Sequence, residues 1–163
     1  MIIGHGDIAS VIPDRPDRLY FASGVSNSQE RRESEYHREI DLLREQDFHA
    51  HIVYFSSLCV FYANTHYADH KRTMEQWVKA QFTTWTIIRL GNITWGDNPH
   101  TLINHLRAQL AASLPLDIQD TFRYVVCKDE FLHWLGMIPP WSCELNIPGR
   151  RMTVAEIVKE FVL

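Results

Sequence analysis

Apolar residues occur along this chain in short runs that alternate with longer segments of helical periodicity. The runs predict strands at residues 1–3, 19–22, 51–55, 85–90, 122–127 and 145–147. The periodic segments predict helices at residues 7–12, 29–46, 67–81, 101–112 and 129–135. A terminal helix should follow Thr153, which has Glu156 at capping-box distance. Strands that alternate with helices favour a parallel α/β sheet covered by helices on both faces.

Composition limits the classes of function that need to be considered. The 163 residues are a single-domain length, and the net charge of −4 does not favour a nucleic-acid partner. The widely spaced Cys59, Cys127 and Cys143 make no disulfide framework, which favours reduced thiols in the cytoplasm. No apolar stretch approaches the ~20 residues of a membrane helix, so we expect no membrane partner.

Histidines are numerous, but their spacing does not predict a metal site. His66 and His70 are four residues apart, and His49 and His51 flank the start of a predicted strand. Neither pair is accompanied by the cysteines or carboxylates of a recognised zinc pattern. We therefore expect no bound metal.

A glycine-rich turn follows the first predicted strand. Gly4, Gly6 and Ala9 have the spacing of a dinucleotide-binding turn, in which small residues let the backbone approach a pyrophosphate at a helix start. Such a pattern also arises in tight turns that bind nothing. Asp7 would add a negative charge beside the phosphate, so both interpretations stay open.

A second set of polar residues follows the strand predicted at 51–55. Ser57 comes directly after it, and Tyr67 and Lys71 are four residues apart on the next predicted helix, where they share one face. A neighbouring ammonium lowers the pKa of a tyrosine, so Tyr67 could act as a general acid or base. The alternative is a surface pair without catalytic function.

These motifs resemble, in order, those of the extended short-chain dehydrogenase/reductase family, which includes nucleotide-sugar epimerases and dehydratases. Residues 52–61 are similar to its strand with Ser-Ser-x-x-Val-Tyr, and residues 67–71 to its Tyr-x3-Lys. Residues 87–96 resemble the strand and loop with Arg-x-Gly-Asn-x-x-Gly that line the sugar-nucleotide cleft. Residues 122–129 and 145–157 resemble its last strands and Thr-x-x-Glu-Ile helix.

The resemblance implies an NAD(P)-dependent sugar or nucleotide-sugar epimerase, dehydratase or reductase. Its catalytic residues would be Ser57, Tyr67 and Lys71, with Lys71 also reaching the cofactor. It would bind the cofactor through Gly4, Gly6, Ala9, Ala22, Ser23, Gly24 and Lys71, and the substrate through Ser57, Arg89 and Asn92. Residues 1–163 would form one Rossmann-like domain, with 92–121 and 136–163 as remnants of the substrate-binding region. A homodimer through the helices at 29–46 and 67–81 is also implied.

The chain departs from this family in ways that leave a second function open. Residues 11–17 cannot hold the usual second and third strands, so the sheet should be reduced and the adenine-ribose half of the NAD or NADP site should be missing. The alternative is a degenerate, non-catalytic module that binds a nucleotide, a sugar nucleotide or a protein. An open cleft beside Ser57 and Tyr67 would favour the enzyme, and a cleft blocked by His5 or a tryptophan would favour the module.

Overall fold

A computed structural model of the protein describes residues 1–163 and contains two sheets. The strands are β1 (Ile2–Ile3), β2 (Leu19–Phe21), β3 (His51–Ser57), β4 (Thr84–Leu90), β5 (Asn92–Ile93), β6 (Phe122–Val126), β7 (Cys143–Ile147) and β8 (Arg150–Thr153). The helices are α1 (Glu33–Arg44), α2 (His66–Gln81), α3 (Leu102–Ala111), α4 (Lys128–Gly136) and α5 (Val154–Phe161). Short 3₁₀ turns lie at Ala9–Val11 and Leu58–Phe61.

The main sheet is five-stranded and fully parallel, in the order β1-β2-β3-β4-β7. β1 is an edge strand that pairs only with β2, because no further strands follow it before β2. The predicted reduced Rossmann-like sheet is therefore confirmed. All five strands point the same way, so their carboxyl ends meet at one edge, where such sheets bind ligands.

Alternating side chains divide the core between the two faces of this sheet, as the period of two in a strand requires. One face packs Phe21, Tyr54 and Ile87 against α1 and α2. The other packs Val53 and Ile88 against α4. Helices on both faces thus leave the carboxyl edge as the open side of the sheet.

The second sheet is small and has the order β5-β6-β8, with β5 parallel and β8 antiparallel to β6. Its core faces α3 and α5, where Ile103, Val125 and Ile157 are buried. The predicted capping box between Thr153 and Glu156 is present at the start of α5. Sequence periodicity did not reveal β5 or β8, because each is too short to show alternation.

Two predicted helices are shorter than expected. The helix predicted at 7–12 is only the turn Ala9–Val11, and Ile12 is extended, as a residue before proline tends to be. α1 begins at Glu33, because the backbone N–H groups upstream bond locally to side chains. The Gln29 N–H donates to Asn27, and the Arg31 and Arg32 N–H groups donate to Glu30.

No helix has both the length and the apolar character that crossing a membrane demands. Cys59, Cys127 and Cys143 are free thiols. No cluster of three or more His, Cys, Asp or Glu side chains is arranged to hold a metal ion.

Candidate functional site

The predicted catalytic residues lie together at the carboxyl edge of the main sheet. Ser57 ends β3, and its hydroxyl accepts the Cys59 N–H at the start of a 3₁₀ turn. Thr65 caps α2 through the Ala68 N–H, which places Tyr67 in the first turn of that helix. The structure therefore brings the three predicted residues into one region.

Tyr67 is buried, with 9% of its surface exposed. Burial raises the pKa of its phenol far above the ordinary tyrosine value, and the nearby charges of Cys59 and Glu39 raise it further. The Ser57 hydroxyl lies close enough to oppose this rise. A general acid–base tyrosine needs a lowered pKa, and burial acts in the opposite direction on this phenol.

Lys71 does not supply the missing activation, because its ammonium is engaged by a carboxylate. The Lys71 Nζ lies 3.2 Å from Glu39 Oε1 and 3.4 Å from Oε2, and it donates to the Tyr54 hydroxyl at 3.2 Å. The same Nζ is 5.8 Å from the centre of the Tyr67 ring. Only 2% of the Lys71 side chain is exposed, so this is a buried ion pair.

Glu39 is the centre of this buried network. It lies on α1 with no exposed surface and also accepts the Tyr54 hydroxyl (2.5 Å), the Val25 N–H (2.7 Å) and His70 Nε2 (3.0 Å). Burial alone would raise the pKa of Glu39, but the charge of Lys71 and these hydrogen bonds hold it well below its ordinary value. Glu39 is therefore an ionised carboxylate inside the protein.

A second buried ion pair lies beside the first. Arg89 on β4 donates from Nε to Glu75 Oε1 at 2.9 Å and from its terminal nitrogen to Oε2 at 2.6 Å. The Ser56 hydroxyl also donates to Glu75, at 2.6 Å. Arg89, predicted to bind substrate, is thus bonded to α2. Its guanidinium carbon also lies 4.9 Å from the centre of the exposed Phe61 ring.

Asn92, the other residue predicted to contact substrate, lies on β5 of the small sheet. Its side-chain amide donates to the Tyr124 carbonyl on β6 at 2.9 Å. Ser57 ends β3 of the main sheet, and both Ser57 and Asn92 are half-buried. Arg89, the third residue predicted to bind substrate, is buried.

The glycine turn has the predicted conformation at its first position. Gly4 has φ +122°, and a Cβ there would lie 2.5 Å from the Ala22 carbonyl oxygen, so the close passage of β1 and β2 requires glycine. Gly6 faces open space, since a Cβ there would meet no atom within 4 Å, and Ala9 is buried. Gly4 is therefore required by the shape of the turn, whereas Gly6 is not.

A loop from the small-sheet side is bonded to Asp7, directly after this glycine turn. The Asp7 carboxylate accepts the backbone N–H groups of Asp97 (3.1 Å) and Asn98 (3.0 Å), and the Trp95 indole donates to the Asp7 carbonyl (3.0 Å). The Asn98 amide then reaches the Ser26 hydroxyl after β2, at 3.2 Å. The 94–101 loop is therefore tied to both strand ends where a pyrophosphate would approach.

The remaining predicted cofactor residues follow β2. The Ser23 carbonyl and hydroxyl accept Arg38 from α1, at 3.0 and 3.1 Å. Gly24 packs on the buried ion pair, and a Cβ there would lie 2.6 Å from Lys71 Nζ. A polar cavity beside Gly24 has a volume of about 140 Å³, below the roughly 300 Å³ at which small-molecule sites begin.

The residues present do not fit a complete dinucleotide. The 94–101 loop is bonded to Asp7 beside the glycine turn, and Lys71 is bonded to Glu39. β1 is an edge strand, so no neighbouring strand carries a residue for an adenine ribose. The glycine turn and the Ala22–Gly24 segment remain, but only as parts of such a site.

No protein-family model and no curated protein sequence matches this chain. Its structure is similar to UDP-glucose 4-epimerase from Thermotoga maritima, with TM-score 0.67, 16% identity and coverage of 88% of this chain and 59% of the epimerase. For the Thermus thermophilus UDP-glucose 4-epimerase in complex with NAD, the TM-score is 0.65 at 14% identity, and the match covers 88% of this chain and 60% of the epimerase. For the Bacillus cereus UDP-glucuronic acid 4-epimerase, the TM-score is 0.66 at 15% identity, and the match covers 88% of this chain and 57% of the epimerase. The protein has the fold of these epimerases.

This similarity confirms, at the level of the fold, the resemblance to extended short-chain dehydrogenases seen in the sequence. The chain spans less than two thirds of the length of each of these epimerases. The structures of these epimerases contain NAD, a UDP-sugar or both.

Sequence reasoning missed the residues that decide how the site is charged. Glu39, Tyr54 and Glu75 are separated widely along the chain, and nothing in their local pattern marks them as partners. A weak signal existed for Glu39, since it lies one turn from Tyr36 and Leu43 on the buried side of α1. A carboxylate on the buried side of a helix requires a partner.

Proposed function

We propose that the protein binds a sugar nucleotide, or the nucleotide part of one, at the carboxyl edge of its main sheet and does not transfer hydride. The observation that carries this proposal is the buried ion pair of Lys71 and Glu39. A lysine held by an internal carboxylate is not free to bind a cofactor ribose or to activate Tyr67. The 94–101 loop, which Trp95 bonds to Asp7 beside the glycine turn, also favours the non-catalytic module over the enzyme.

Exposed aromatic and arginine side chains support a nucleotide-type ligand. Tyr62 and Tyr124 are exposed, and the Arg151 guanidinium stacks 3.7 Å from the centre of the exposed Phe122 ring. Arg151 forms no salt bridge with a carboxylate of the protein. Exposed rings suit a base or a sugar ring, and an unneutralised guanidinium suits a phosphate. Arg151 lies in the segment 136–163, which together with 92–121 would be a remnant of a substrate-binding region.

Calorimetry with UDP-glucose, UDP and NAD tests the proposal. We expect saturable binding of UDP-glucose and UDP, no binding of NAD, and a loss of roughly tenfold in affinity in Arg151→Ala, about the value of one charge-assisted contact. Arg107→Ala is the matched control, since Arg107 lies on α3 and donates to the Phe161 carbonyl at 3.0 Å. Failure of the wild-type protein to bind either UDP compound would refute the proposal.

The second candidate is the NAD(P)-dependent sugar epimerase or reductase that uses Ser57, Tyr67 and Lys71. The proximity of the Ser57 hydroxyl to the Tyr67 phenol favours it. The test is turnover of UDP-glucose in the presence of NAD, measured with wild-type protein and Tyr67→Phe. Turnover that Tyr67→Phe abolishes would establish the enzyme and exclude the non-catalytic module.

A homodimer through α1 and α2, and a cytoplasmic location, are further proposals. Buried Tyr36 and Leu43 on α1 face the protein interior, whereas His37 and Asp41 are exposed. A dimer interface on the exposed side of α1 would therefore be polar. Light scattering on a sizing column at micromolar concentration tests the dimer, and a monomer would refute it.

A further inference from the structure

The buried charges around Tyr67 are arranged so that they cancel. Lys71 brings one positive charge within 5.8 Å of the Tyr67 ring centre, and Glu39 places one negative charge within 3.2 Å of the Lys71 ammonium. Without Glu39, the ammonium would stand alone beside a buried phenol and favour its ionised form. With Glu39, the phenol faces a neutral pair.

We propose that Glu39 is a positioning residue. As a fixed internal counter-ion, it keeps Lys71 from acting on Tyr67 and from binding a ligand at the carboxyl edge of the main sheet. This inference rests on the proposed function, because it explains what keeps the Ser57, Tyr67 and Lys71 set from acting. It assigns the lack of activation to one side chain on α1.

Four hydrogen-bond donors, from the β2–α1 loop, β3 and α2, hold Glu39 in this position. Oε1 accepts Tyr54 and Lys71, and Oε2 accepts the Val25 N–H and His70. If the carboxylate swung away, it would leave a buried ammonium and a buried backbone N–H without partners, which is costly. Glu39 is therefore fixed in place.

The loop between β2 and α1 packs directly against the ion pair. Gly24 lies against both side chains, since a Cβ there would be 2.6 Å from Lys71 Nζ and 3.0 Å from Glu39 Oε1. The Val25 N–H bond attaches the same loop to Glu39. Lys71 thus has protein on the side where a ligand would approach.

The test is titration of Tyr67 by NMR with tyrosine labelled at the ring carbon that bears the hydroxyl, its signal assigned with Tyr67→Phe. In Glu39→Gln the charge of Lys71 is no longer cancelled, so the pKa of Tyr67 should fall by at least about one unit relative to wild type. The titratable groups around Tyr67 are Cys59, Glu39, Tyr36 and Tyr54, together with Lys71. In Glu39→Gln with Lys71→Met, the fall should vanish.

Acylation of lysines, followed by mass spectrometry, gives an independent measurement. Lys71 should be protected in the wild-type protein and should react roughly tenfold faster in Glu39→Gln, because the carboxylate that holds its ammonium inside the protein has been removed. Glu35→Gln is the matched control on the same helix, since Glu35 pairs with Arg38 at the surface. It should change neither the titration nor the acylation.

Glu39→Asp keeps the charge but shortens the side chain, and it covers the case in which Glu39→Gln does not fold. It should increase the reactivity of Lys71 by a smaller factor. Wild-type values for both Tyr67 titration and Lys71 reactivity in every folded variant would overturn the inference. These measurements need no ligand, so their failure is distinguishable from a failure of UDP-glucose binding.

Discussion

The buried ion pair between Glu75 and Arg89 gives a quantitative test of how much this pair contributes to stability. It joins α2 to β4 with two hydrogen bonds of 2.9 and 2.6 Å, and only 5% and 8% of the two side chains are exposed. We consider Arg89→Met, which keeps much of the apolar volume and removes the charge. Glu75 then keeps only the Ser56 hydroxyl as a hydrogen-bond partner.

Removing one partner of a buried ion pair costs about 3–5 kcal/mol, because the other charge stays buried without compensation. Glu75→Leu should cost less than Arg89→Met, since Arg89 would still reach Glu144 at 2.7 Å. The double variant removes both charges and should be more stable than the sum of the single variants predicts, by at least about 1 kcal/mol. Domains of this size have about 5–15 kcal/mol of stability, so Arg89→Met should remove a large fraction of it.

The assay is urea unfolding of the four proteins, monitored by circular dichroism, with stabilities from linear extrapolation. Arg44→Met is the control, because Arg44 and Asp41 form a pair at 3.5 Å with 62% and 68% of their side chains exposed. Such a surface pair contributes about 0–1 kcal/mol. The reasoning is refuted if Arg89→Met costs no more than Arg44→Met, or if the double variant equals the sum of the singles.

Three further outcomes are expected. Partial burial and the charge of Arg18 lower the pKa of His51 to about 4, so its unfolded state alone takes up a proton below about pH 6.5. Stability should therefore fall as the pH drops from about 6.5 toward 4, and His51→Gln should lose that part of the dependence in urea titrations. Gly96→Ala should lower the melting temperature, because Gly96 has φ +88° and a Cβ would overlap the Asp7 carboxylate, whereas Gly6→Ala has free space and should fold normally. Thr153→Ala should cost about 1 kcal/mol in urea unfolding through loss of the capping box, and no loss would contradict its role.

Much of the candidate site could be predicted from sequence, because its residues follow strands. Ser57 comes directly after a run of apolar residues, and the carboxyl ends of parallel strands meet at one edge whatever their order. Tyr67 and Lys71 share a helix face by their spacing. The position of the site therefore follows from local patterns.

The charges in the site could not be predicted in the same way. Lys71 and Glu39 are 32 residues apart, and their pairing depends on how α1 and α2 pack on the same face of the sheet. Arg89 was expected to face the substrate, but Glu75 on α2 holds its guanidinium. The residue types predicted a lysine and an arginine available to ligands, and packing gave each a carboxylate.

The sequence alone determined the α/β class, the reduced parallel sheet and the positions of Ser57, Tyr67 and Lys71, because strands, helices and glycine turns depend on short-range periodicity and backbone sterics. Only the tertiary structure decided whether those side chains are free. Their protonation depends on burial and on charges brought close from distant parts of the chain, such as Glu39, and no local pattern encodes those distances.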